Sequence, residues 1–278
     1  MIRVSAILVK TITHRGKCST CHNVGVGPDS VIARLKAIRD ARMRALALIS
    51  ALGEGEPEAW VETLAAIIAR AHRVDDADAI EALETITHAM ADPSLPYATR
   101  QRLYAAAVER GHASIARLFL SASPPTASES QLKKQLAPER PLKPTGRPLT
   151  LGERKALART HKREDLLLLI RDPHPAVVEI LLGNPHVTEA EILRIASFRP
   201  AVPEALAKIA THPRWSVRHA IKRALVMNPG TPLADAIRIA TTLRTQELLE
   251  LSTDPQLPEP LRRHAADLAA SSQRRPQA

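Results

Sequence analysis

Aromatic side chains are scarce in this 278-residue sequence. Trp60, Trp215, Tyr97, Tyr104, Phe119 and Phe198 are the whole set. Hydrophobic residues still make up 45%, so the core has to be aliphatic, built from Ala, Leu, Ile and Val. Glycines number only 10, which argues against an enzyme built on glycine-rich phosphate loops. The only cysteines, Cys18 and Cys21, exclude a disulfide-dense scaffold and a four-cysteine iron–sulfur site made by one chain. No apolar run approaches the roughly 18 residues of a membrane span. The apolar start, Val4 to Val9, is broken by Ser5 and ended by Lys10, and it falls short of an export segment. A cytoplasmic address is expected. The sequence also has no serine nucleophile elbow, no dinucleotide fingerprint and no His-Glu-x-x-His. No reaction class rises above background, and the expectation is a protein that binds without catalysing.

What is present is proline, charge and helical periodicity. The 22 prolines exclude one long coiled coil. Lys and Arg exceed Asp and Glu by 39 to 29. The excess is uneven: residues 1–120 carry 15 basic against 13 acidic side chains, and residues 121–278 carry 24 against 16. A positive second half can attract nucleic acid or an acidic protein, or serve only solubility. Five regions are expected. Residues 1–28 form an irregular leader, 29–120 a helical N-terminal domain, 121–149 a linker, 150–270 a second helical domain and 271–278 a disordered tail. In the first domain Val31, Leu35, Ile38, Leu46 and Ile49 predict a helix begun by Asp29 or Ser30. Trp60, Leu64, Ile67 and Ile68 predict another over about 58–70, and Ile80, Leu83, Ile86 and Met90 a third over about 78–90. Two more are expected near 97–110 and 112–120. Six prolines and little apolar periodicity mark 121–149 as linker.

The second half repeats itself. Asp172-Pro173, His212-Pro213 and Asp254-Pro255 start 40 and 42 residues apart, with Val177, Val217 and Leu261 following. Asn184-Pro185 precedes Thr188 and Glu191-Ile-Leu-Arg-Ile-Ala196, and Asn228-Pro229 precedes Thr231 and Asp235-Ala-Ile-Arg-Ile-Ala240, 44 residues on. Each period reads as helix, Asp/His-Pro turn, helix, Asn-Pro turn, helix. Proline ends the preceding helix by restricting the residue before it, and it is tolerated in the first turn of the next. The Asp or Asn holds the turn or caps the next helix. Helices this short are marginal alone, so the units are expected to stack in series. Asp92-Pro-Ser-Leu-Pro96 parallels Asp254-Pro-Gln-Leu-Pro258, which suggests a degenerate copy in the first half.

On these junctions, residues 165–268 resemble HEAT-like repeats, and more narrowly the leucine-rich repeat variant family. The resemblance implies an all-α, HEAT-like helical repeat solenoid that binds proteins. Some variant-repeat proteins hold an iron–sulfur cluster on four cysteines; this chain has two. On a predicted helix over 214–227, Arg214, Arg218 and Lys222 stand at i, i+4 and i+8, flanked by His219 and Arg223. Val217, Ile221, Ala224 and Leu225 would face inward, and Arg262 and Arg263 are the expected counterparts in the next unit. Such a face suits an acidic protein partner. It would also suit a phosphate backbone, as in the HEAT-like DNA glycosylases for alkylated bases, which the sequence resembles in repeat class and charge only. Trp215 reads as a packing or capping residue.

Lys17-Cys18-Ser-Thr-Cys21-His22 matches the attachment signature of c-type haem, and the trailing Gly25-Val-Gly27-Pro28 resembles the segment after that motif in small cytochromes c. His14, Cys18, Cys21 and His22 are also four potential zinc ligands, although the adjacent Cys21 and His22 do not easily reach one tetrahedral ion. Haem, zinc and a reduced pair without a role all remain open on the sequence.

Overall fold

Proline marks many of the helix boundaries, with Asp, Asn or His before it where a helix ends. The computed structural model describes residues 27–73, 76–120, 148–172 and 174–273, and these contain fifteen α-helices and no β-strand. The chain is all-α. The leader with His14, Cys18, Cys21 and His22, and nearly all of the expected linker, lie outside the described residues.

The N-terminal segment holds α1 (Pro28–Lys36), α2 (Ala41–Glu54), α3 (Pro57–Ala71), α4 (Ala77–Ala91), α5 (Tyr97–Glu109) and α6 (Ala113–Leu118). The single helix expected from Asp29 to about Ile49 is two. Asp40 divides it by accepting a hydrogen bond from the Met43 N–H at 2.8 Å, so a new helix starts there. Trp60, Leu64, Ile67 and Ile68 face inward as expected, as do Leu83, Ile86 and Met90. Ile80 does not. It stands roughly a quarter turn around α4 from those three, and it is 43% exposed.

The second segment falls into three-helix units. The first holds α7 (Leu151–Leu157), α8 (Arg163–Leu169) and α9 (Pro175–Gly183). The next holds α10 (Glu189–Ser197), α11 (Pro203–Thr211) and α12 (His219–Met227). The last holds α13 (Leu233–Ala240), α14 (Thr245–Thr253) and α15 (Glu259–Gln273), the final helix running past the expected domain end at 270. Within each unit the first and third helices pack together: α7 on α9, α10 on α12, α13 on α15. Between units, α9 packs on α11, and α11 and α12 on α13.

The X-Pro markers explain this regularity. At each one, the side chain before the proline accepts the backbone N–H two residues on. Asp172 takes that of His174 at 3.0 Å, Asn184 that of His186 at 2.9 Å and His212, through Nδ1, that of Arg214 at 3.3 Å. Asn228 takes that of Gly230 at 3.0 Å and Asp254 that of Gln256 at 2.9 Å. Asp92 in the first half does the same with Ser94 at 2.8 Å. A side chain that mimics a turn carbonyl stops one helix and aims the next. The two asparagines also reach across their units. Asn184 Nδ2 donates to the carbonyls of Ala158 and Thr160, both at 2.9 Å. Asn228 Nδ2 donates to those of Ala196 and Phe198, at 2.8 and 3.0 Å. Each asparagine thus satisfies carbonyls left over at the C-terminal end of its unit's first helix.

The two segments share one apolar core. Helix α13 packs on α4 and α6, and α15 on α3 and α6. Polar contacts cross the same boundary: Arg117 to Asp267 at 2.5 Å, and His72 Nε2 to the Thr241 carbonyl at 3.0 Å. Trp215 fixes the second unit on the first. Its ring is 2% exposed, and its Nε1–H donates to the Leu182 carbonyl at 2.8 Å, as a packing role requires.

Candidate functional site

Where the N-terminal segment meets the repeat units, the two walls do not close completely. A cleft of about 440 Å³ remains between the starts of α2 and the outer end of α4 on one side and α11, α12, α13 and their turns on the other. Its volume lies in the range of ligand sites. Small side chains such as Ala45, Ala91 and Ala210 leave the space, and charged ones stand around it.

Glu84 and His88 come from successive turns of α4, four residues apart and so on one face. Lys222 of α12 reaches across and places Nζ 3.0 Å from Glu84 Oε1. Burial holds the His88 imidazole below the usual histidine range; Glu84 works against this, and Lys222 and Arg44 reinforce it. On α13, Asp235 forms an ion pair with Arg238 three residues on. Burial raises the Asp235 carboxyl above its ordinary value against the pull of Arg238. Burial likewise lowers Arg238, and Arg100 of α5 is lowered by burial and by the facing charge of Arg238. Ser216, in the turn before α12, lines the cleft at 7% exposure; its Oγ has no hydrogen-bond partner among the described residues.

Asp235 is not spent on capping its helix, because the repeat pattern changes at α13. In α7, the Glu153 carboxylate accepts the Thr150 N–H at 2.9 Å while Thr150 Oγ1 accepts the Glu153 N–H at 3.3 Å. In α10, Glu191 accepts the Thr188 N–H at 2.8 Å and its hydroxyl at 2.9 Å. These are capping boxes, and they use the acidic side chain at the helix start. In α13 the residue in the threonine position is Pro232, which has neither N–H nor hydroxyl to offer. Asp235 turns to Arg238 instead.

No family model matches the sequence, and no curated protein or solved structure is significantly similar to it. The geometry therefore carries the functional reading.

The residues of the predicted basic face are not brought together as expected. Helix α12 starts at His219, because residues 213–217 are spent on turns that send Trp215 inward. Arg214 and Arg218 consequently precede the helix and do not share a helical face with Lys222. The Arg214 guanidinium lies 4.2 Å from the Trp215 ring centroid, a cation–π contact. Arg218 is 3.9 Å from Glu189, His219 Nε2 is 2.9 Å from Glu247 and Arg223 is 2.8 Å from Glu250. Arg263 pairs with Glu259 one turn earlier, and Arg262 Nε is buried without a partner among the described residues. Lys222, expected outside, is 8% exposed because the N-terminal segment covers it and supplies Glu84. Val217, expected inside, is 41% exposed, since it belongs to the turn rather than to α12. Ile221 and Leu225 face inward as expected.

Of the cleft residues, sequence reasoning singled out only Lys222 for a binding role. One signal could have found another: Pro232 in the threonine position marks Asp235 as released from capping. His174 and His212 hold turns through their Nδ1 atoms. No group of three or more His, Cys, Asp or Glu with metal-ligand geometry occurs among the described residues. No helix of the described residues is long and apolar enough to cross a membrane.

Proposed function

We propose that this chain is a non-enzymatic, cytoplasmic binding scaffold, a HEAT-like repeat array that takes part of another protein into the cleft between its repeat units and its N-terminal segment. The observation that carries the reading is the coincidence of two features. The repeat units are held by contacts that recur from unit to unit, and of the first helices of the three described units, α13, which lacks the capping box of α7 and α10, faces the cleft. The matched asparagine contacts of Asn184 and Asn228 support the repeat assignment. The paired state of Arg218, Arg223 and Arg263 supports a protein ligand over a phosphate backbone, because cations already matched by carboxylates release few counterions on binding DNA.

A photo-crosslinking amino acid at Val217, exposed on the cleft rim, tests the proposal in the native cell. The expected result is one discrete protein adduct at Val217 that is missing when the same group is placed at Leu167, exposed on α8. Adducts to nucleic acid, or identical adducts from both positions, overturn the reading. Duplex DNA is expected to show no filter-retained complex at about 50 mM salt, where backbone contacts are strong.

A further inference from the structure

The joints between repeat units follow one rule. The fifth residue of a unit's third helix bonds the sixth residue of the next unit's second helix. Glu179 of α9 holds Lys208 of α11 at 3.0 Å, and Arg223 of α12 holds Glu250 of α14 at 2.8 Å, the same bridge with its charges exchanged. Two further helices each carry half of such a joint with nothing against it. One is α8, the second helix of the first unit, which has no unit before it among the described residues. Its sixth residue is Leu168, 45% exposed, where α11 and α14 carry a charge. Leu167 beside it is exposed too, but so is its counterpart Leu249 in α14, so the departure from the pattern lies at Leu168.

The other half-joint is α5. Helices α3, α4 and α5 follow the plan of a unit: α3 packs on α5 as first helix on third, and Asp92 makes the marker turn before α5. Thr99, Leu103 and Ala106 are buried at the same places in α5 as Leu261, Ala265 and Leu268 in α15. The fifth residue of α5 is the uncharged Gln101, and the eighth is Tyr104. In α9 and α12, which have a unit after them, the eighth residues Leu182 and Val226 are buried, whereas Tyr104 is 41% exposed. Tyr97 and Val108, seven residues before it and four after, share its face and are also exposed. Both tyrosines of the sequence therefore stand on one uncovered helix face. The outer side of α15 is different. Its eighth residue is Ala266 and its fifth, Arg263, pairs with Glu259, the polar exterior usual for a terminal unit.

We propose that α5 of one copy of the chain docks on α8 of another, forming between molecules the joint that already binds one unit to the next. A second copy is the occupant because the two open faces are the two different halves of one joint. Both have also exchanged charge for neutral surface, Leu168 on one side and Gln101 with Tyr104 on the other. A solvated ion pair holds separate chains weakly, while buried leucine and tyrosine surface drives association. Because the joint uses two different faces, it extends into a ring or an open row of copies and does not stop at a two-fold dimer. Neither face lines the cleft, so the joint stands whatever the cleft holds.

Sedimentation velocity of the full chain, from low micromolar to near-millimolar concentration, tests the joint. The mean mass is expected to rise with concentration past that of a dimer. Leu168→Asp and Tyr104→Asp alter exposed positions, and each is expected to keep native helicity by circular dichroism while weakening self-association at least about tenfold. Leu168→Lys and Tyr97→Asp stand in for a variant that loses helicity. An equimolar mixture of Leu168→Asp and Tyr104→Asp is expected to give a dimer and nothing larger, since each copy supplies the face that the other has lost. Leu249→Asp, on α14, is expected to associate like the unaltered chain. A chain that stays monomeric throughout overturns the proposal. So does a mixture that stays monomeric, or a single variant that dimerises as readily alone, the mark of a self-complementary face. Equal losses in Leu249→Asp and Leu168→Asp overturn it as well, because association is then unspecific.

Discussion

Helices α10 and α13 begin at equivalent points in successive units, yet their acidic third residues do opposite things. Glu191 folds back onto Thr188 and closes its own helix start. Asp235, deprived of such a partner by Pro232, stays in the interior with Arg238 beside the cleft. Where the repeat is kept, polar side chains are consumed in holding it. Where it lapses, the charged group takes a different partner, Arg238, and stands at the cleft. In a repeat protein, a departure from the pattern is therefore more informative about function than the pattern itself.

The strongest way to break this comparison is at the buried polar groups of the kept units. Arg154 and Asp172 form an ion pair at 2.7 Å in the first unit, 3% and 2% exposed. Asp172→Ala leaves a buried guanidinium unmatched, and a loss of about 3–5 kcal/mol is expected in urea unfolding. Asp254→Ala, at the corresponding marker of the last unit, removes only a half-exposed turn contact and is expected to cost under about 1 kcal/mol. Equal losses would refute the distinction. Asn228→Ala strands the carbonyls of Ala196 and Phe198, and a loss of about 2–4 kcal/mol is expected, with a similar value for Asn184→Ala.

The last unit should also set the acid sensitivity. His264 is fully buried, with Nε2 2.9 Å from Thr241 Oγ1, and burial pushes its pKa down to about 3. The folded chain keeps the ring neutral while the unfolded chain protonates it below about 6.5, so the unfolded state binds more protons as pH falls. Stability is full above about pH 6.5 and is lost as the pH drops toward 3. Roughly 2 kcal/mol of this loss is expected by pH 5, and His264→Gln should flatten it in thermal melts taken from pH 7.5 to 5. His72 and His88, both lowered by burial, add to the slope in the same direction. The smallest effect sharpens the original contrast. Glu191→Ala is expected to cost about 1–2 kcal/mol as a lost cap, whereas Asp235→Asn takes the anion from a mostly buried Arg238 and should cost more than that, though less than Asp172→Ala, because burial already opposes the Asp235 charge.

Much of the fold was legible because it is written locally. The Asp-Pro, His-Pro and Asn-Pro junctions fall where helices stop, and Leu95 and Leu257 of the paired Asp-Pro-x-Leu-Pro segments are both 3% exposed. The candidate site was not legible. The contact between Glu84 and Lys222 spans 138 residues, and no short-range pattern reports that the N-terminal segment covers that face. The same docking turned Lys222 from an expected surface cation into a buried one. The start of α12 was misjudged for a related reason: Trp215 is drawn inward by Leu182, 33 residues earlier, and takes the chain out of helical geometry.

The asparagine clasps have a consequence for how such a chain can grow. Asn184 and Asn228 find their acceptors inside their own units, so each module of some forty residues carries its lock within itself. Duplicating residues 188–231 would add a segment whose fastening arrives already complete. What limits its length lies elsewhere, in the N-terminal segment, which packs on α13 and α15 while Glu84 holds Lys222 of α12, so that a module inserted between them would pull those contacts apart.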